Sequence, residues 1–77
     1  CEPCPMCLSA MYWARIRSVF YGNTRKDAAK IAFDDAKIYH EVALPIRKRE
    51  LVMKQLLRDE ALVAFKEWEK KADKVLY

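Results

Sequence analysis

Three of the first seven residues are thiols, Cys1, Cys4 and Cys7, and two of them sit in the run Pro3-Cys4-Pro5-Met6-Cys7. A P-C-x-x-C spacing puts one sulfur just ahead of a helix and the next in its first turn. Both sulfurs then face one point, and the positive end of the helix favours thiolate over thiol. Such a pair is a metal clamp suited to zinc, but it is only half a site. Structural zinc takes four protein ligands, and catalytic zinc takes three plus a water. A second C-x-x-C or a His pair, which a structural site would need, is missing, because the only histidine is His40. A thioredoxin-like redox pair also opens a helix with C-x-x-C, and it remains open on spacing alone. His40 reads as a surface residue and Cys1 as a small buried one.

Zinc deaminases carry H-x-E followed downstream by P-C-x-x-C, where the His binds metal and the Glu moves protons without touching it. Only the second half of that signature is present here. His40-Glu41-Val42 does not read H-x-E and lies on the wrong side of the cysteines. Around the motif stand Tyr12-Trp13-Ala14-Arg15, Val19-Phe20-Tyr21, Phe33-Asp34-Asp35 and the final Tyr77. Taken with Cys1 to Cys7, these residues resemble the C-terminal half of the bacterial guanine deaminases, within the cytidine deaminase-like superfamily. The resemblance is strongest over residues 1 to 42 and thinner over 43 to 77, where Phe65, Trp68 and Tyr77 carry it.

That resemblance implies an α/β fragment, the C-terminal part of a three-layer α/β/α domain, with residues 1 to 77 supplying half of it. It implies Zn2+ held by Cys4 and Cys7 together with a His from the missing half, where the proton-carrying Glu also lies. No catalytic acid or base is therefore expected in this chain, and the chain alone is expected to be inactive. Zinc lowers the pKa of its bound water toward ~7, which makes a nucleophile at neutral pH. In a guanine deaminase the attacked carbon is C2, and the products are xanthine and ammonia.

Asp34 and Asp35 by themselves read as a cap or Asx-turn before a helix. The resemblance assigns Asp35 to the purine, whose N1-H and 2-amino groups are donors that an acceptor-only carboxylate suits. It also places the C-terminal Tyr77 over the base, in members of the family from the neighbouring subunit of a domain-swapped homodimer. Trp13 reads equally as a pocket residue or as helix-core packing. Glu2 reads as an organiser of the loop through backbone hydrogen bonds. The competing readings are a tRNA adenosine or cytosine-type deaminase and a noncatalytic zinc-binding or dimerisation module.

The elements that must position these residues follow from pattern. Pro in a first turn and a stripe of Leu8, Met11, Tyr12 and Ile16 predict a helix from about Cys4 or Pro5 to Ile16. Ser18-Val19-Phe20-Tyr21, β-branched and aromatic and stopped by Gly22-Asn23, predicts one clear strand. Asp27 to Phe33 predicts a short helix with Thr24 or Asp27 as cap, and Ala36 to Val42 a second short helix or an extended piece. Glu50, Lys54 and Gln55 tilt residues 46 to 57 toward helix. Leu62, Phe65, Trp68 and Ala72 predict an amphipathic helix over roughly 59 to 74, packed on a sheet or a second subunit.

Composition narrows the setting. With 53% hydrophobic and 34% charged residues and one Gly, the 77 residues have the make-up of a folded protein, yet a core of this size is marginal alone. Fifteen basic against eleven acidic residues give a net charge of +4. The one tight basic cluster, Arg47-Lys48-Arg49, has no interleaved aromatics and reads as a solvated face, so nucleic acid is not the expected partner. An odd number of thiols argues against a disulfide framework, and no apolar run approaches the ~20 residues of a membrane span, so a cytoplasmic setting is expected.

Overall fold

A computed structural model describes all residues from Cys1 to Tyr77. The chain is helical: α1 spans Pro5–Trp13, α2 Arg25–Lys30, α3 Ala36–Ala43 and α4 Arg58–Lys70, with a 3-10 turn at Ile46–Lys48 between α3 and α4. None of these helices is long and apolar enough to cross a membrane.

There is no strand and no sheet, which overturns the expected α/β architecture with one strand at Ser18 to Tyr21. The physical reason is pairing. A strand exists only through a ladder to a neighbour, and residues 17 to 22 neither donate nor accept a single backbone hydrogen bond. Side chains that favour pleated structure are present, but no second segment is there to pair with. The helix expected over residues 46 to 57 is likewise missing beyond the 3-10 turn. Arg49 turns back to donate from Nε to the Glu41 and Leu44 carbonyls and from Nη2 to the Val42 carbonyl, which covers the open end of α3. Glu50 pairs with Lys37 at 2.6 Å. Glu50, one of the residues that seemed helix-favouring, is committed to contacts with α3.

Helix ends are set by local chemistry. α1 stops at Trp13, three residues short of the expected end, in a Schellman arrangement. Arg15 takes φ 62°, the Ile16 N–H donates to the Met11 carbonyl, and the Arg15 N–H donates to that of Tyr12. α2 ends in the same way, with Ala32 at φ 70° and the Phe33 N–H on the Ala28 carbonyl. Its start lies two residues earlier than expected because Thr24 and Asp27 form a capping box, in which each side chain accepts from the other residue's amide. α4 runs from Arg58 to Lys70, so Ala72 falls outside the helix that carries Leu62, Phe65 and Trp68.

These pieces enclose no core. No hydrophobic residue is buried; Phe20 is 97% exposed and Phe65 70%. The accessible surface is 7605 Å², where a compact monomer of this mass would show about 4,900 Å². The radius of gyration is 18.0 Å, against about 11–12 Å for a compact chain of this length. Helices this short are marginal in water without tertiary packing. The 77 residues alone should therefore melt without a cooperative transition, and a sharp sigmoidal loss of ellipticity on heating would contradict this. A second expectation concerns Asp27. Its carboxyl is held below the ordinary carboxylate value by the Thr24 amide and hydroxyl. Its contribution is thus fully present above about pH 4 and lost as pH falls through the depressed folded value. Faster amide exchange at Thr24 and Asp27 on acidification below that point, in the full-length protein, is the measurable sign.

Candidate metal and purine site

The site is built at the opening of α1. Pro5 occupies the first helical position, where its fixed φ fits and its missing N–H costs nothing. It is also the one buried residue of the chain. Cys4 is the N-cap in extended backbone, and Cys7 is the third residue of the helix. The Cys4 thiol is lowered from its ordinary value, first by the Cys7 amide and then by that of Met6 at the open helix end, with the Cys7 thiol helping. These amides act on the sulfur without closing a geometrically complete side-chain cap. Desolvation and the negative charge of Asp35 push the other way, so Asp35 is close enough for Cys4 to feel it.

Asp35 is placed there by a division of labour at the start of α3. Asp34 Oδ1 accepts from the Ala36 N–H at 2.9 Å, which is the Asx-turn expected of this pair. Asp35 is the N-cap by position, but its side chain makes no cap hydrogen bond and is half-buried. Its carboxylate is left free for another donor. A cavity of about 600 Å³ is lined by Cys4, Asp34 and Asp35 together with Cys1, Glu2 and Arg25.

The loop that carries Cys4 is tied down on two sides. The Glu2 N–H donates to the Asn23 carbonyl at 2.7 Å, and Glu2 Oε1 accepts from the Arg25 N–H at 3.1 Å, so Glu2 organises the loop as expected. The Tyr39 hydroxyl donates to the Pro3 carbonyl at 2.8 Å, and the Arg25 guanidinium lies 3.9 Å over the Tyr39 ring. Arg25 and Tyr39 were not legible as site residues, although Tyr39 lies one helical turn beyond Asp35. Cys1 is exposed rather than buried, its sulfur 4.0 Å from the Thr24 carbonyl. His40 is exposed, as expected.

Trp13 and Tyr77 lie elsewhere. Their rings meet edge to face with centroids 5.2 Å apart, and the Arg15 guanidinium covers Tyr77 at 4.5 Å. This cluster is at the C-terminal end of α1, about 13 Å along the helix from Cys4. The structure thus puts Cys4 beside Cys7 and near Asp35, with which Cys4 shares a cavity, and it groups Trp13 with Tyr77 apart from them.

As a metal centre the donor set is half complete. No group of three or more His, Cys, Asp or Glu side chains is arranged to hold an ion. The two thiols nonetheless fit zinc in spacing, in their position at a helix opening and in the pull of the Cys7 and Met6 amides on Cys4.

No protein-family model matches the chain. Guanine deaminase from Bacillus subtilis (strain 168) is 46% identical over all 77 residues, and the chain spans 49% of its length. The X-ray structure of guanine deaminase from Bacillus subtilis superimposes with a TM-score of 0.90 at 45% identity, covering 100% of this chain and 49% of that one. The chain spans about half the length of the curated relative it matches, and from its first residue to its last it is similar in sequence and in fold to half of a guanine deaminase.

Proposed function

We propose that these residues are the C-terminal half of a single zinc-dependent deaminase domain that hydrolyses guanine to xanthine and ammonia. The observation that carries the reading is the freedom of Asp35. Asp34 takes the capping role, and the second carboxylate faces the cavity it shares with Cys4. End-to-end similarity to guanine deaminase supports the same substrate.

Each residue then has a physical task. Cys4 and Cys7 hold the metal, whose chemistry when bound is to activate water at neutral pH. The other half supplies a His ligand and the Glu that carries the proton toward the departing ammonia. Asp35 accepts from the N1-H and 2-amino groups of guanine and so orients C2. Adenine presents no donor at N1 and no 2-amino group, so the same carboxylate would face an acceptor and select against it.

Tyr77 and Trp13 supply an aromatic surface for the purine face. Separated from Cys4 by the length of α1, Tyr77 suits delivery to the site of a neighbouring subunit in a homodimer better than a return to its own. The exposed stripe of Phe65 and Trp68 on α4 supports burial against a second chain or the missing half. The setting is cytoplasmic, where thiolates stay reduced.

In the full-length protein, Asp35→Asn should lower kcat/KM for guanine about a hundredfold while zinc stays bound, and Cys7→Ser should lose both zinc and activity. Guanine turnover is read by conversion to xanthine, and metal content by elemental analysis. Unchanged guanine turnover in Asp35→Asn would remove Asp35 from the site. Removal of Tyr77 should raise KM for guanine and leave the zinc content intact; an unchanged KM would place Tyr77 outside substrate binding.

A further inference from the structure

The thiol pair and the carboxylate belong to different helices, and nothing in their own chemistry fixes the distance between them. Cys4 and Cys7 move with α1, and Asp35 moves with α3. One side chain spans the gap. The Tyr39 hydroxyl, on α3, donates to the carbonyl of Pro3, the residue immediately before Cys4, at 2.8 Å. At the other end, the Tyr39 N–H donates to the Asp35 carbonyl at 3.1 Å. The path from Asp35 to Cys4 therefore runs through one helical turn, one aromatic ring and one peptide unit.

The ring is itself held. The Arg25 guanidinium stacks 3.9 Å over it, and Arg25 is fixed by Glu2, whose Oε1 accepts from the Arg25 N–H at 3.1 Å and whose Oε2 lies 3.7 Å from Nε. Glu2 returns to the same loop as Pro3 and Cys4, so the contacts close a ring: loop, Glu2, Arg25, Tyr39, loop. The residues concerned are only partly exposed, and a hydrogen bond of this kind from a rigid aromatic side chain ties up little rotamer freedom.

We propose that Tyr39, backed by Arg25 and Glu2, is a positioning residue that locks the thiol loop to the helix bearing Asp35, so that metal and purine carboxylate are set as one unit. It touches neither metal nor substrate. The role rests on the zinc and guanine reading above, and the test separates the two. Partners lying just outside a metal's ligands typically change affinity or activity by 10–100-fold.

In the full-length zinc protein, Tyr39→Phe removes only the hydroxyl. It should release zinc to a chelator roughly tenfold faster and lower kcat for guanine by a similar factor, with KM changed little. The thermal midpoint should stay close to that of the unaltered protein. Glu2→Gln should weaken zinc retention in the same direction, and adding it to Tyr39→Phe should cost less than the sum of the two, because both act through one ring of contacts. Unchanged zinc release in Tyr39→Phe overturns the proposal, whether or not the midpoint falls, since a lower midpoint alone is what a merely structural contact would give. Fully additive losses would also overturn it. A protein that holds zinc but never deaminates guanine would defeat the functional reading, while zinc release would still decide the role of Tyr39.

Discussion

Burying Phe20, Phe65 and Trp68 requires apolar surface that these 77 residues do not contain, and that requirement governs how the rest of the chain is arranged. Relative to a compact monomer the chain exposes an excess of roughly 2,700 Å². Two chains that each covered an excess of that size would meet over an area in the range of permanent rather than transient interfaces. The same open layout superimposes on half of a solved enzyme with a TM-score of 0.90. Its extended shape is that of a component, whose hydrophobic free energy is realised on assembly.

Against that background the ordered part of the site is notable for being local. The opening of α1, the capping box of α2 and the Asx-turn at Asp34 each close within four residues. Short-range devices of this kind do not wait for a core. Apart from the Trp13, Arg15 and Tyr77 cluster and the Lys37 to Glu50 pair, the long-range contacts converge on the loop from Cys1 to Cys4, through Asn23, Arg25 and Tyr39. The chain thus fixes Cys4 and its free carboxylate with polar contacts and leaves apolar burial to whatever covers it.

The same division explains what could be read in the residues. The helix opening at Pro5 was legible because Pro at the first position and a following C-x-x-C act within one turn. Thr24 and Asp27 were legible as alternative caps for the same reason, though not as the reciprocal pair they form. Ser18 to Tyr21 was not, because strand propensity describes how side chains sit on a pleated surface and carries no information about a pairing partner. Residues 46 to 57 misled for a related reason. Arg49 and Glu50 bond to α3 and its partner Lys37, and side-chain spacing along a segment does not reveal such commitments. The resemblance had singled out Asp35, whereas local turn chemistry left open which Asp takes the turn, and in the structure it is Asp34.

Cys4 and Asp35 sit on different elements, yet the charge of the one is felt by the other. The Cys7 and Met6 amides draw Cys4 toward thiolate, while desolvation and, to a smaller extent, Asp35 oppose them. The Tyr39 to Pro3 hydrogen bond spans the gap between α3 and the thiol loop. On the zinc and guanine reading proposed above, a fixed distance between Cys4 and Asp35 is what an oriented purine would require, because a positional error of about 1 Å is enough to cost a reaction orders of magnitude. The polar ring around Tyr39 is therefore where the stability of this loop and the chemistry of the site become the same question.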